Sequence, residues 1–252
     1  MKNSSKEIQK FCILTTQRSG STWLSTILDS NPKVQGFREL FIDQEFIFPD
    51  SKLSTFLLYQ KDNADKKRPK ITFEYLHNLD NYLNQREAIG FKLMYDQLLD
   101  YPEIILKLIQ EKYKIIHLVR ENYLDAIISS KIKDEQGIVH TKVKIEPKEI
   151  YLEPLWLIKR LNKQAMKVRI ANIFLSLMPN QVLNITYNDL RVNQEQTLSS
   201  ISNFLELSLS QEDQFKSELK KSNNKSHRQI IKNYDEVNLA LAETKFFRLL
   251  NQ

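Results

Sequence analysis

The stretch Thr15-Thr16-Gln17-Arg18-Ser19-Gly20-Ser21-Thr22-Trp23 constrains the fold of this chain more than any other. It follows the apolar run Phe11-Cys12-Ile13-Leu14 and leads into Trp23, Leu24, Ile27 and Leu28, which share one face of a helix. The pattern reads as a strand over residues 11–16, a tight turn, and a helix ending near Asn31-Pro32. Such a turn points backbone N–H groups and the positive end of a helix at one spot, which suits phosphate or sulfate. The chain has only four glycines, and Gly20 is one of them. A capped helix start needs a single hydroxyl. An arginine among Ser19, Ser21 and Thr22 points instead to an anion-cradling loop.

Strand and helix patterns then alternate. Short strands are expected at 34–37, 88–94, 114–120 and 181–186, with helices at about 102–113, 122–133, 147–177 and 194–206. This succession predicts an α/β fold with a central parallel sheet flanked by helices. Residues 43–69 read as an insertion over one sheet edge, ending in the charged run Lys61-Asp62-Asn63-Ala64-Asp65-Lys66-Lys67-Arg68. Residues 134–147 are polar and read as a cover, and residues 211–252 as a basic helical tail. The 252 residues are taken as one domain.

Composition excludes several classes. Cys12 is the only cysteine and sits within an apolar strand, so no intrachain disulfide or thiolate cluster can form. His77, His117, His140 and His227 lack zinc-ligand spacing, and no metal site is expected. The N-terminus carries no signal-peptide core, and no run approaches the roughly 20 apolar residues of a membrane span. A cytoplasmic location is expected. The net charge of +6 fits an anionic ligand, nucleic acid or a membrane surface equally well.

Three positions carry candidate chemistry. The loop ends like a nucleotide-triphosphate loop at Gly20 and Thr22, but Thr15 replaces the first glycine and Ser21 the lysine, which argues against ATP or GTP. Glu39 follows the second strand and is placed to take a proton from an incoming hydroxyl, or else pairs with Arg38 at the surface. Arg120 ends the strongest strand, where ligands of open parallel sheets bind. The alternative for Arg120 is a salt bridge with Glu121 or Asp125.

These residues resemble the sulfotransferases that use 3′-phosphoadenosine 5′-phosphosulfate (PAPS), in the style of the bacterial carbohydrate (trehalose-type) enzymes. Thr16 to Leu24 is similar to their phosphosulfate loop, and Phe37-Arg38-Glu39-Leu40 to their catalytic-glutamate segment. Gly90-Phe91-Lys92-Leu93-Met94 resembles a strand of that group, and His117 to Ser129 its 3′-phosphate segment. Ile185-Thr186-Tyr187-Asn188-Asp189-Leu190, followed by Phe204-Leu205-Glu206-Leu207, resembles the family's tyrosine-acid-leucine strand and helix.

The resemblance implies a P-loop-type nucleotide-binding fold and in-line transfer of a sulfuryl group to a hydroxyl. Glu39 would be the base, and Arg18 would stabilise the departing phosphate. Gln17, Arg18, Ser19, Gly20, Ser21, Thr22 and Trp23 would bind PAPS, with PAP the product and no metal required. Arg120 and Ser129 would hold the 3′-phosphate, with Ser130 in reserve because Ile128 stands where the cytosolic enzymes have serine. Lys225-Ser226-His227-Arg228 would replace those enzymes' C-terminal nucleotide segment, through Lys225 and Arg228. The implied partner is a hydroxyl-bearing small molecule, a carbohydrate or glycolipid, with no nucleic acid involved. A small-molecule kinase and a non-catalytic anion- or nucleic-acid-binding module are the rival readings; oligomeric state is not encoded legibly.

Overall fold

Five short strands form one sheet because their apolar residues can be buried on both faces, as parallel sheets require. They are β1 (Gln9–Thr15), β2 (Val34–Glu39), β3 (Ala88–Met94), β4 (Lys114–Val119) and β5 (Val182–Thr186). The computed structural model describes residues 8–49, 51–82, 86–136, 149–208, 210, 213, 215–216 and 226–251. All strand pairs are parallel, in the order β2-β3-β1-β4-β5. The α/β expectation is therefore met. The order itself is not legible in the sequence: β3 inserts between β1 and β2. Gly90 permits this, since a Cβ there would lie 2.5 Å from the Phe11 ring.

Helices connect the strands. α1 (Ser21–Asp29) leads to β2; α2 (Phe56–Asp62) and α3 (Arg68–His77) precede β3; α4 (Tyr95–Asp100) and α5 (Glu103–Gln110) precede β4. Between β4 and β5 come α6 (Tyr123–Gln136) and α7 (Pro154–Leu177). After β5 come α8 (Tyr187–Val192), α9 (Gln194–Phe204), α10 (His227–Ile230) and α11 (Tyr234–Ala242).

The chain packs as two compact units, Met1–Val119 with Leu175–Glu218, and Arg120–Phe174 with Leu219–Gln252. In the first, the apolar face of α1 (Leu24, Ile27, Leu28) buries against Phe11, Ile13, Ile116 and Leu118. Each such side chain contributes on the order of 1.5–3 kcal/mol by leaving water. In the second, Leu124 and Ile128 of α6 pack with Leu157, Leu161, Ile230, Val237 and Leu241.

One sequence expectation changes. The long helix expected from 147 begins only at Pro154, because Ile150 pairs with Ile231 in a short parallel bridge. Within the 43–69 segment, Phe56 is fully buried among Phe41, Tyr75 and Tyr101. Most of the 134–147 cover lies outside the described residues. Among the described residues no helix is long and apolar enough to cross a membrane.

Candidate active site

The loop after β1 is built by two left-handed residues. Arg18 has φ 61° and Gly20 φ 89°, and Gly20 then caps α1. Gly20 is required twice over, since a Cβ there would also meet the Tyr187 ring at 2.5 Å. Tyr187 is held over the loop by a T-shaped contact with Trp23, at 6.1 Å between centroids. Its own position is fixed by the reciprocal capping of α8 by Thr186 and Asp189. Residues 185–190 therefore serve as the loop's back wall.

Ser19 is completely buried. Its Oγ lies 2.6 Å from the Thr15 hydroxyl, which also lies 2.7 Å from the Leu118 carbonyl. A carbonyl can only accept, so Thr15 donates to Leu118 and accepts from Ser19. The Ser19 hydroxyl thus braces the loop. Gln17 and Arg18 are exposed, and Ser21 is buried. The Gly20 cap makes no side-chain hydrogen bond to the first turn of α1, which holds no acidic residue. The positive end of the helix dipole lies at that turn.

Glu39 is the last residue of β2, at a register shift that sets it opposite Lys92 of β3. Gln97 of α4 donates to Glu39 Oε1 at 2.9 Å and to the Phe41 carbonyl at 2.9 Å. The Gln97 carbonyl is itself fixed by the Met94 backbone N–H at 2.9 Å. Lys92 Nζ lies 3.5 Å from Glu39 Oε2 and donates to Thr22 Oγ1 at 3.3 Å. Glu39 is thus engaged by Lys92 and Gln97. Lys92 is 6% exposed. Burial pulls its pKa below the ordinary lysine value, opposed by the neighbouring Glu39 carboxylate.

Lys92 and Gln97 were not recognised as site residues from sequence. The signal was a lysine inside a strand otherwise buried throughout. Lys92 brings an ammonium from the strand beside β1 to Thr22 of the loop. His117, by contrast, is a strut: it accepts from the Tyr95 hydroxyl at Nε2 and donates through Nδ1 to Asn184 Oδ1. Burial lowers its pKa, opposed by the hydrogen bond to Asn184.

The second unit contains the other expected cluster. Arg120 donates to Asp125 Oδ2 at 2.8 Å, so the salt bridge weighed as its alternative is present. Asp125 and Ser129 stand one turn apart on α6, on the same face. Ile128 is buried in the core, which leaves Ser129 and Ser130 as the partly exposed hydroxyls of this turn. Arg228 is 70% exposed in its side chain, paired with Asp235 and stacked on Tyr234. It is His227, beside it, that reaches this cluster, with Nε2 2.7 Å from Asp125 Oδ1. Lys225 lies outside the described residues. Among the described residues no cluster of His, Cys, Asp and Glu is arranged to hold a metal ion.

A sequence model of the sulfotransferase family matches residues 11–211, most of the chain. The chain belongs to the sulfotransferase family. A sulfotransferase from Alicyclobacillus acidocaldarius is similar in structure, with a TM-score of 0.51 at 14% identity, over 97% of this chain and 96% of that one. A sulfotransferase domain from the curacin biosynthetic pathway follows at 0.49 and 15%, covering 89% and 83%. A mouse sulfotransferase complexed with PAP gives 0.45 and 13%, covering 98% and 89%. No curated sequence is a significant match. The structural likeness bears on the fold, a parallel sheet flanked by helices; the family match makes this an enzyme of sulfate transfer.

Proposed function

We propose that this sulfotransferase moves a sulfuryl group from PAPS to an acceptor hydroxyl, with Glu39 as general base. The observation that carries this reading is the convergence of Glu39, Lys92 and Thr22 at the start of α1. Gln97 holds one carboxylate oxygen of Glu39, and the other faces the Lys92 ammonium. Glu39 takes the acceptor proton as the acceptor oxygen bonds to sulfur and the sulfur–phosphate bridge breaks. Negative charge then grows on the departing 5′-phosphate. The α1 N–H groups, Thr22, Arg18 and Lys92 are the groups that stabilise it. Gln17, Gly20, Ser21 and Trp23 shape the loop around that phosphate, braced by Ser19.

Arg120 and Ser129 are assigned to the 3′-phosphate, the feature that separates this donor from ATP. The acceptor is assigned to hydroxyl-bearing small molecules, with carbohydrate or glycolipid favoured by motif resemblance. The test is labelled sulfate transfer from PAPS to a panel of sugar, glycolipid and phenolic acceptors, with wild type and Glu39→Gln. Turnover lost by about 10²-fold or more, with donor affinity near normal, supports the assignment. Equal loss of binding and turnover would make Glu39 structural and sink it.

A further inference from the structure

His227 lies in a segment whose expected ligands were Lys225 and Arg228, yet its own environment is the more specific. Its side chain is 10% exposed. Nδ1 lies 3.0 Å from the Leu250 carbonyl, and Nε2 lies 2.7 Å from Asp125 Oδ1. The carbonyl can only accept, so Nδ1 carries a proton. Asp125 is engaged by Arg120 through its other oxygen and is ionised, so Nε2 carries one as well. Both contacts are satisfied together only by the imidazolium.

The surrounding charges agree. Burial opposes charging of His227, but hydrogen bonds to Asp125 and the Leu250 carbonyl outweigh it and raise the pKa, against repulsion from Arg120. Burial likewise opposes the Asp125 carboxylate, yet His227 and Arg120 hold its pKa below the ordinary value. Three other charged groups lie nearby. Arg248, in the C-terminal turn, and Glu121, before α6, act on Tyr123, while Arg228 of α10 takes Asp235.

We propose that His227 is a positioning residue for the 3′-phosphate of the donor, acting through Asp125 to keep the Arg120 site cationic. The inference rests on the assignment of Arg120 to that phosphate. Arg120 with Asp125 alone sums to zero charge; protonated His227 makes the triad +1. The histidine offsets the carboxylate that orients Arg120, so an arriving phosphate does not have to displace a neutral ion pair. Loss of the His227 proton leaves Asp125 to compete for Arg120. Affinity for a 3′-phosphorylated nucleotide therefore falls as pH rises above about 6.5 and through the raised pKa of His227.

The experiment compares binding of adenosine 3′,5′-bisphosphate and adenosine 5′-monophosphate by calorimetry from pH 6 to 9. Wild type, Arg120→Ala, His227→Gln and His227→Lys are used. The expected result is a wild-type preference for the bisphosphate that declines by roughly tenfold across the range, the scale of one charge acting nearby. His227→Gln should have the lower preference at every pH, and His227→Lys should regain it and flatten the profile. A flat wild-type profile, or an unchanged profile in His227→Gln, overturns the proposal. Should the variants not fold, ring-nitrogen NMR of the wild type decides: a neutral His227 at pH 6.5 overturns it. Undiminished preference in Arg120→Ala would instead refute the assignment of Arg120 to the 3′-phosphate.

Discussion

Replacing Gly20 by alanine tests the loop geometry on which the site is built. Two costs follow from the structure. At φ 89°, an L-residue is forced into the left-handed region, at about 1–2 kcal/mol. The new Cβ would also lie 2.5 Å from Tyr187 Cδ2 and 2.8 Å from Cε2. Those atoms belong to the body of the ring, so the ring has to move and give up its edge contact with Trp23. Such contacts contribute about 0.5–1.5 kcal/mol. The sum is about 1.5–3.5 kcal/mol. In a Tyr187→Ala background the ring is gone, and Gly20→Ala should cost only the backbone share, about 1–2 kcal/mol. The assay is urea unfolding of the four proteins of this cycle, followed by tryptophan fluorescence at constant m-value. Equal costs in the two backgrounds would refute the steric argument. A cost below about 0.5 kcal/mol in the wild type would refute the left-handed cap itself.

Two further outcomes are expected. Gln97→Leu removes the charge-assisted hydrogen bond to Glu39 and should lower kcat by about tenfold to a hundredfold, the effect of 1.5–3 kcal/mol, with donor KM unchanged. An unchanged kcat would show that Glu39 needs no second anchor. The Asp125–His227 pair should also shape stability against pH. The Asp125 pKa is lowered on folding, so its contribution is present above about 3.8 and is lost as pH falls through the lowered value. That of His227 is raised, so its contribution is full below about 6.5 and is lost as pH rises through the raised value. Stability should therefore plateau between these limits. In His227→Gln the alkaline decline should vanish; its persistence would place the titration elsewhere.

The sequence by itself determined what is local. The apolar run into Gly20, the helical spacing after it and the hydroxyl-rich turn are encoded within about fifteen residues, because one strand, one turn and one helix start form from near neighbours. The same holds for the strand leading into Arg120 and for Glu39 at the end of β2. Tertiary structure decided which of these meet. Lys92 reaches both Thr22 and Glu39 only because β3 inserts between β1 and β2, a pairing that Gly90 permits by its close approach to Phe11. Ser19 reads as an anion donor in the sequence; only the fold shows its buried hydroxyl against Thr15. In the C-terminal segment, residue type favoured Arg228. Only the fold shows that arginine paired with Asp235 and His227 against Asp125, because a charge's partners are chosen across the chain and no spacing records them.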